Sequence, residues 1–125
     1  MAEVRSYRDL KVWQLGIELV ESVYLLTASF PESERFGLIA QLRRSMVSVP
    51  SNIAEGHARG STRDFLRFIS IALGSLAEAE TQLIISNRLN YLNGDEVQRF
   101  LGQMDELGRM LRGLQSTLAN RLPSP

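Results

Sequence analysis

The sequence predicts an all-α fold, an up-down-up-down antiparallel bundle of four helices, on three observations. Four segments repeat apolar residues at alternating steps of three and four, the spacing of one helix face. Only a few residues separate successive segments, and short connections make neighbouring helices antiparallel. No segment shows the two-residue alternation of a half-buried strand. We predict one domain, residues 1–125, with helices at about 7–28, 32–58, 62–90 and 95–121.

Helix one carries two apolar stripes on different sides. Ser6 and Asp9 have the spacing of a capping pair at its start. A helix in an isolated bundle needs only one apolar stripe to face the core. The first stripe consists of Leu10, Trp13, Ile17, Val20 and Tyr24, and the second of Val12, Leu15, Leu19 and Leu26. We predict that the second stripe is covered by another copy of the chain.

Helix two begins after Pro31, with either Ser29 or Ser33 as its cap. Its apolar repeat passes straight through Pro50, so the sequence predicts one helix kinked at Pro50 rather than two separate helices. The helix is predicted to end near Gly56 or Gly60. Its small-residue face would let another helix backbone approach closely and is the second part of the predicted oligomer interface: Ala40, Val47, Ser51 and Ala54.

Helices three and four have clear start signals. Ser61 and Asp64 form a capping pair for helix three, and Asn93 and Glu96 form one for helix four. Helix three has few charged residues and is apolar nearly all round, so we predict that it is the most buried helix. The apolar stripe of helix four contains Phe100, Met104, Leu107, Leu111, Leu114 and Leu118.

Composition excludes several classes of chemistry. The chain has no cysteine, one histidine (His57) and a formal net charge of zero. Disulfides, thiolate zinc sites, cysteine nucleophiles and histidine clusters are therefore excluded. We predict no catalytic residue, no metal site and no cofactor. The start lacks the pattern of a secretion signal and no long uncharged apolar run occurs, which favours a cytoplasmic protein with no membrane partner.

A polar stripe runs along helix two on the side away from its apolar repeat: Gln41, Ser45, Ser48, Asn52 and Glu55. Two interpretations are open. The stripe around Pro50, Asn52 and Glu55 is a partner-binding site, or its side chains bond the backbone groups that Pro50 frees while Glu55 is solvated or paired with an arginine.

Arginines are concentrated between residues 35 and 67, where six of them stand against two carboxylates. Arg63 and Arg67 lie one turn apart at the start of helix three, beside Arg59, where the helix dipole favours an anion. We predict a nucleic-acid or anion contact that consists of Arg43, Arg44, Arg59, Arg63 and Arg67.

Two segments, LRRSMVSVPSNIAEG and FLRFISIALGSLAEAETQL, together with YRDLKVWQLGIELV near the start, resemble the small bacterial four-helix-bundle family named after a reading frame in intervening sequences of 23S ribosomal RNA. The resemblance spans nearly residues 6–92. It implies an all-helical cytosolic protein that assembles as a homopentameric ring. It also implies kinship with the accessory protein of diversity-generating retroelements, a basic pentamer that binds nucleic acid and its reverse transcriptase. No catalytic residues come with the family.

The zero net charge departs from that strongly positive relative. The sequence therefore predicts a non-enzymatic, self-assembling helical bundle whose candidate partners are itself, RNA or DNA, and a nucleic-acid-associated protein. The alternative is a protein–protein interaction scaffold that binds no nucleic acid.

Overall fold

A computed structural model describes residues 3–123 of the chain. Four α-helices occupy most of this range: α1, Lys11–Thr27; α2, Leu38–Ala58; α3, Thr62–Arg88; and α4, Gly94–Ala119. Two short 3-10 turns, Tyr7–Asp9 and Glu32–Glu34, precede α1 and α2. Residues 3–123 contain no strand, and the all-α four-helix bundle is confirmed.

Each helix packs against the next one in the chain, and α1 also packs against α4. Cross-helix contacts show the antiparallel order. In α1 and α2, Thr27 meets Arg43 whereas Gly16 meets Pro50, so one helix ascends as the other descends. The core lies between the four helices, and its largest fully buried side chains include Leu19, Leu42, Met46, Ile53, Ile69, Leu76, Leu83, Phe100, Met104, Leu107 and Leu111.

The predicted capping pair of helix one forms, but on the 3-10 turn rather than on α1. Ser6 accepts a hydrogen bond from the Arg8 amide, and Asp9 accepts from the Ser6 amide at 3.2 Å. Leu10 is then extended, with ψ 127°, and it ends the turn. Helix one therefore begins at Lys11, and the prediction of a continuous helix from residue 7 is wrong because the backbone breaks at Leu10.

Neither Ser29 nor Ser33 caps α2, which begins six residues later than predicted, at Leu38. The N-cap residue is Gly37, which has no side chain to accept a bond. The carboxylate of Glu34 instead accepts from the first helical amide, that of Leu38, through its Oε1 at 3.2 Å. Its Oε2 accepts from the Tyr91 hydroxyl at 2.8 Å. The connection between α1 and α2 is thus tied to the connection between α3 and α4.

Helix α2 runs through Pro50 without interruption, as predicted, and the kink itself stays a prediction. Pro50 is buried against Gly16 of α1, where an added Cβ would lie 3.3 Å from the Pro50 Cβ. Gly60 follows the helix with φ +80°, the left-handed conformation that favours glycine. Gly56 remains inside the helix, and a Cβ there would lie 2.6 Å from the Phe68 Cβ, so α2 and α3 approach closely at this end.

The start signals of α3 and α4 form as predicted. Ser61 accepts from the Asp64 amide at 3.1 Å, and Asn93 and Glu96 form a complete capping box. Helix α3 has the largest number of buried residues, nine, but these are about the same share of its 27 residues as the six buried residues are of the 17 in α1. By length and composition alone, α3 is also apolar enough to cross a membrane. Its inner face belongs to the bundle core, whereas Ile71, Ile84 and Ile85 stay exposed on its outside.

Candidate functional site

The structure shows which of the two apolar stripes of helix one faces the core. Val12, Leu19 and Leu26 are 6%, 1% and 7% exposed, and Leu15 packs against the same core. Val12, Leu19 and Leu26 face the other helices of their own chain, so their prediction as an oligomer interface is wrong, whereas for the half-buried Leu15 it stays a prediction. Both stripes are equally apolar in the sequence, and only the positions of α2 and α4 decide which one turns inward.

The other stripe of α1 is half-buried at the edge of the core, except for the exposed Tyr24, and lies beside the small-residue face of α2. Together they line a groove of about 240 Å³. We call this surface the α1–α2 face and define it by Trp13, Ile17, Val20, Val47, Ser51 and Ala54. Ala40 is half-buried on α2, about two turns before Val47, and extends the face toward the start of that helix.

The α1–α2 face is uncharged and its ends are fixed by aromatic contacts. Tyr7 packs edge-on against Trp13, with ring centroids 5.4 Å apart. At the other end the Arg43 guanidinium lies 4.4 Å from the centroid of the Tyr24 ring. Trp13, Ile17 and Val20 are half-buried and Val47 is 37% exposed. An ordered apolar surface of this kind is typical of a protein–protein contact.

Arg43 has a structural role, and its contact with nucleic acid stays a prediction. Its Nε donates to the Thr27 hydroxyl at 2.8 Å, and Nη2 donates to the Tyr24 carbonyl at 3.4 Å. The side chain therefore satisfies acceptors at the C-terminal end of α1. Its neighbour Arg44 is exposed and lines a polar groove with Gln41, Ser45, Glu78 and Gln82.

The remaining arginines of the predicted site, Arg59, Arg63 and Arg67, lie at the hairpin between α2 and α3, and we call them the hairpin arginines. Arg44 is fifteen residues before Arg59 on α2, a rise of about 22 Å. The five predicted residues are therefore not brought together into one site.

Aromatic and acidic side chains hold two of the hairpin arginines. The Arg59 and Arg67 guanidinium groups lie 5.1 and 5.0 Å from the centroid of the Phe68 ring. Arg59 pairs with Glu55 at 3.4 Å and Arg67 with Asp64 at 3.9 Å. These pairs are on the surface and contribute little to stability. Among residues 3–123, Arg63 has no such carboxylate partner and is exposed.

The polar stripe of α2 is mostly a seam between α2 and α3. Ser45 donates to the Gln82 side chain at 2.9 Å, and Ser48 and Ser75 share a 2.8 Å hydrogen bond. Asn52 donates to the carbonyl and the hydroxyl of Ser48 at 2.7 and 2.9 Å. Asn52 therefore bonds the Ser48 carbonyl. The carbonyl that Pro50 frees is a different one, that of Met46, four residues before the proline. Glu55 lies beyond the seam, on the surface.

Three ionisable groups between residues 3 and 123 have a shifted pKa. Burial raises the pKa of Glu80, aided by the nearby Asp105 and opposed by Arg112. The hydrogen bond to Glu34 raises the pKa of Tyr91. Backbone hydrogen bonds from the Arg5 and Ser6 amides lower the pKa of Asp9. Asp9 lies before α1, Glu80 on α3 and Tyr91 in the connection after α3, so these three shifted groups do not form one centre. Residues 3–123 contain no group of three side chains suited to hold a metal ion.

Comparison with known proteins gives one family and a similar solved structure. A model of the family described as 23S rRNA-intervening sequence protein matches residues 8–113. A similar solved structure is a protein of unknown function from the S23 ribosomal protein family of Bacteroides thetaiotaomicron. It is 24% identical with a TM-score of 0.77, over 84% of this chain and 95% of that one, which shows the fold alone. No curated protein matches the chain.

Proposed function

This chain belongs to the 23S rRNA-intervening sequence protein family, and we propose that it serves as a non-enzymatic, cytoplasmic scaffold that assembles with copies of itself. The observation that carries the proposal is the α1–α2 face. It is an uncharged, half-buried surface at the edge of the bundle that extends on α1 from Trp13 to Val20, about two turns or about 11 Å. Burial of such a surface is favourable by about 25 cal/mol per Å² before the costs of association.

The number of copies in the proposed assembly is five, in line with the family resemblance of the sequence. A ring needs two different surfaces on each copy, because each subunit contacts its neighbours head to tail. Besides the α1–α2 face, Ile71 and Ile85 are 45% and 42% exposed on the outside of α3. These exposed apolar residues are candidates for the second surface that a ring needs.

Trp13 provides a direct test because it is the single tryptophan of the chain and lies in the α1–α2 face. Assembly should remove its indole ring from water. We expect the fluorescence emission to shift to longer wavelength as the protein is diluted, while the helical circular dichroism stays constant. An emission spectrum that does not change as the molar mass falls would show that copies meet through another surface.

A second candidate function is contact with RNA or DNA through the hairpin arginines. The supporting observation is that three cations lie at one end of the bundle, with Arg63 exposed and free of a carboxylate partner among residues 3–123. In an assembly this end would be repeated, and repetition raises the avidity of weak contacts. The alternative is a scaffold for protein partners alone.

Gel-shift titrations at low and moderate salt separate these two functions. If the hairpin arginines contact phosphate, Arg63→Ala should weaken binding to RNA or single-stranded DNA, and reduce the slope of log K against log salt by about 0.7 per lost contact. Arg109→Ala, an exposed change on α4, is the matched control and should bind as the wild type does. Wild-type protein that binds neither nucleic acid at low ionic strength would favour the scaffold for proteins alone.

A further inference from the structure

Phe36 is the most exposed large apolar side chain among residues 3–123, at 86%. Its backbone is held by a hydrogen-bonded turn in which the Arg35 amide donates to the Glu32 carbonyl and the Gly37 amide donates to the Glu34 carbonyl, both at 3.0 Å. Glu34 is fixed in turn by Tyr91. The turn therefore fixes the backbone that carries the exposed phenyl ring, which lowers the entropic cost of binding.

A groove of about 380 Å³ lies on the outside of the bundle between α2 and α3. We call it the α2–α3 groove. Gly74, Ala77 and Ile85 line it with small or apolar surface, and Glu78 is the one charged residue of its lining. Small side chains on a helix leave space for a ring from outside, and a docked phenylalanine buries on the order of 150–250 Å². Phe36 of the same chain does not fill the groove, since it is almost fully exposed.

The charges of Arg35, beside Phe36, and of Glu78, in the groove, indicate which segment fits the α2–α3 groove. The Arg35 guanidinium lies 5.2 Å from the centroid of the Phe36 ring, so the turn presents an aromatic ring and a cation together. Arg35 also makes a 3.6 Å surface pair with Glu32, which it can exchange at little cost. Glu78 is exposed and has no ion-pair partner among residues 3–123, although Arg44 lines the adjoining polar groove with it.

We propose that Phe36 of one copy docks in the α2–α3 groove of the next copy, with Arg35 paired to Glu78. The proposal rests on the proposed self-assembly and adds a specific contact to it. The contact is head to tail, because the turn and the groove are different parts of the chain, as a closed ring requires. Aromatic residues and arginine are also the side chains that most often carry the binding energy of an interface.

Sedimentation of a dilution series tests the aromatic part of the contact. Phe36→Ala should raise the dissociation constant of the assembly at least about tenfold, with unchanged circular dichroism. Leu25→Ala is the matched control, since Leu25 is also a highly exposed apolar residue, at 79%, but lies on α1 away from the α2–α3 groove. It should assemble as the wild type does.

Charge reversal tests the ionic part. Arg35→Glu and Glu78→Arg should each weaken assembly, and the double variant should recover most of the loss, because the pair is restored with its signs exchanged. If Phe36→Ala assembles like the wild type, or the double variant is no better than the single ones, the proposal is overturned. In that event an intact wild-type assembly would leave the proposed function standing, whereas a monomeric wild type would overturn both.

Discussion

The variant Leu19→Glu is expected to unfold the bundle at neutral pH. Leu19 is 1% exposed and lies on the inner stripe of α1. The change removes a buried leucine, worth about 1.5–3 kcal/mol, and places a carboxylate without a partner in the core, which costs several kcal/mol more. Domains of this size are stable by only about 5–15 kcal/mol. We expect circular dichroism to show lost helicity and no cooperative thermal transition.

Leu25→Glu is the matched control for this prediction, because it makes the same substitution in the same helix at a site that is 79% exposed. Its free energy of unfolding should lie within about 0.5 kcal/mol of the wild-type value. Leu19→Glu protein with the wild-type melting temperature would mean that the stripe of Val12, Leu19 and Leu26 faces outward, as the sequence alone had suggested.

Val47→Glu should separate the assembly into folded monomers. Val47 lies in the α1–α2 face and is 37% exposed, so a glutamate there can reach water in the single chain. In the proposed assembly the neighbouring copy would cover the same carboxylate, remove it from water and leave it unpaired. Unpaired charges of this kind cost about 2–5 kcal/mol at protein interfaces. We expect size-exclusion chromatography with light scattering to report the monomer mass, at an almost unchanged melting temperature.

The control for Val47→Glu is Ile84→Glu. Ile84 is 40% exposed, which is comparable with Val47, but it lies on α3 outside both the α1–α2 face and the α2–α3 groove. The control should remain assembled. If Ile84→Glu instead dissociates the protein while Val47→Glu does not, the copies meet at α3 rather than at the α1–α2 face.

Local signals in the sequence predicted much of the fold. The caps of α3 and α4 depend on residues three positions apart, so Ser61 with Asp64 and Asn93 with Glu96 are readable without tertiary information. The single apolar stripe of α4 likewise identifies its core residues. The start of α2 could not be predicted in this way, because Glu34 is held by Tyr91, 57 residues away in the chain.

The candidate site was less predictable, since it depends on which side of each helix meets a neighbour. The two apolar stripes of α1 differ little in composition, so the sequence does not distinguish the inner stripe from the outer one. Arg43 and Arg44 are adjacent in sequence but about 100° apart around α2. One therefore bonds α1 and the other faces solvent. Phe36 lies outside any periodic pattern, and only the structure shows its exposure.

The molar mass of the wild-type protein in solution tests the central claim, self-assembly, most directly. Light scattering over a wide concentration range should report five copies of the 14.1 kDa chain, about 70 kDa, at the upper end and a decline on dilution. A well-folded particle of 14.1 kDa at every concentration would contradict the account, because the α1–α2 face would then be an apolar surface that no second copy covers.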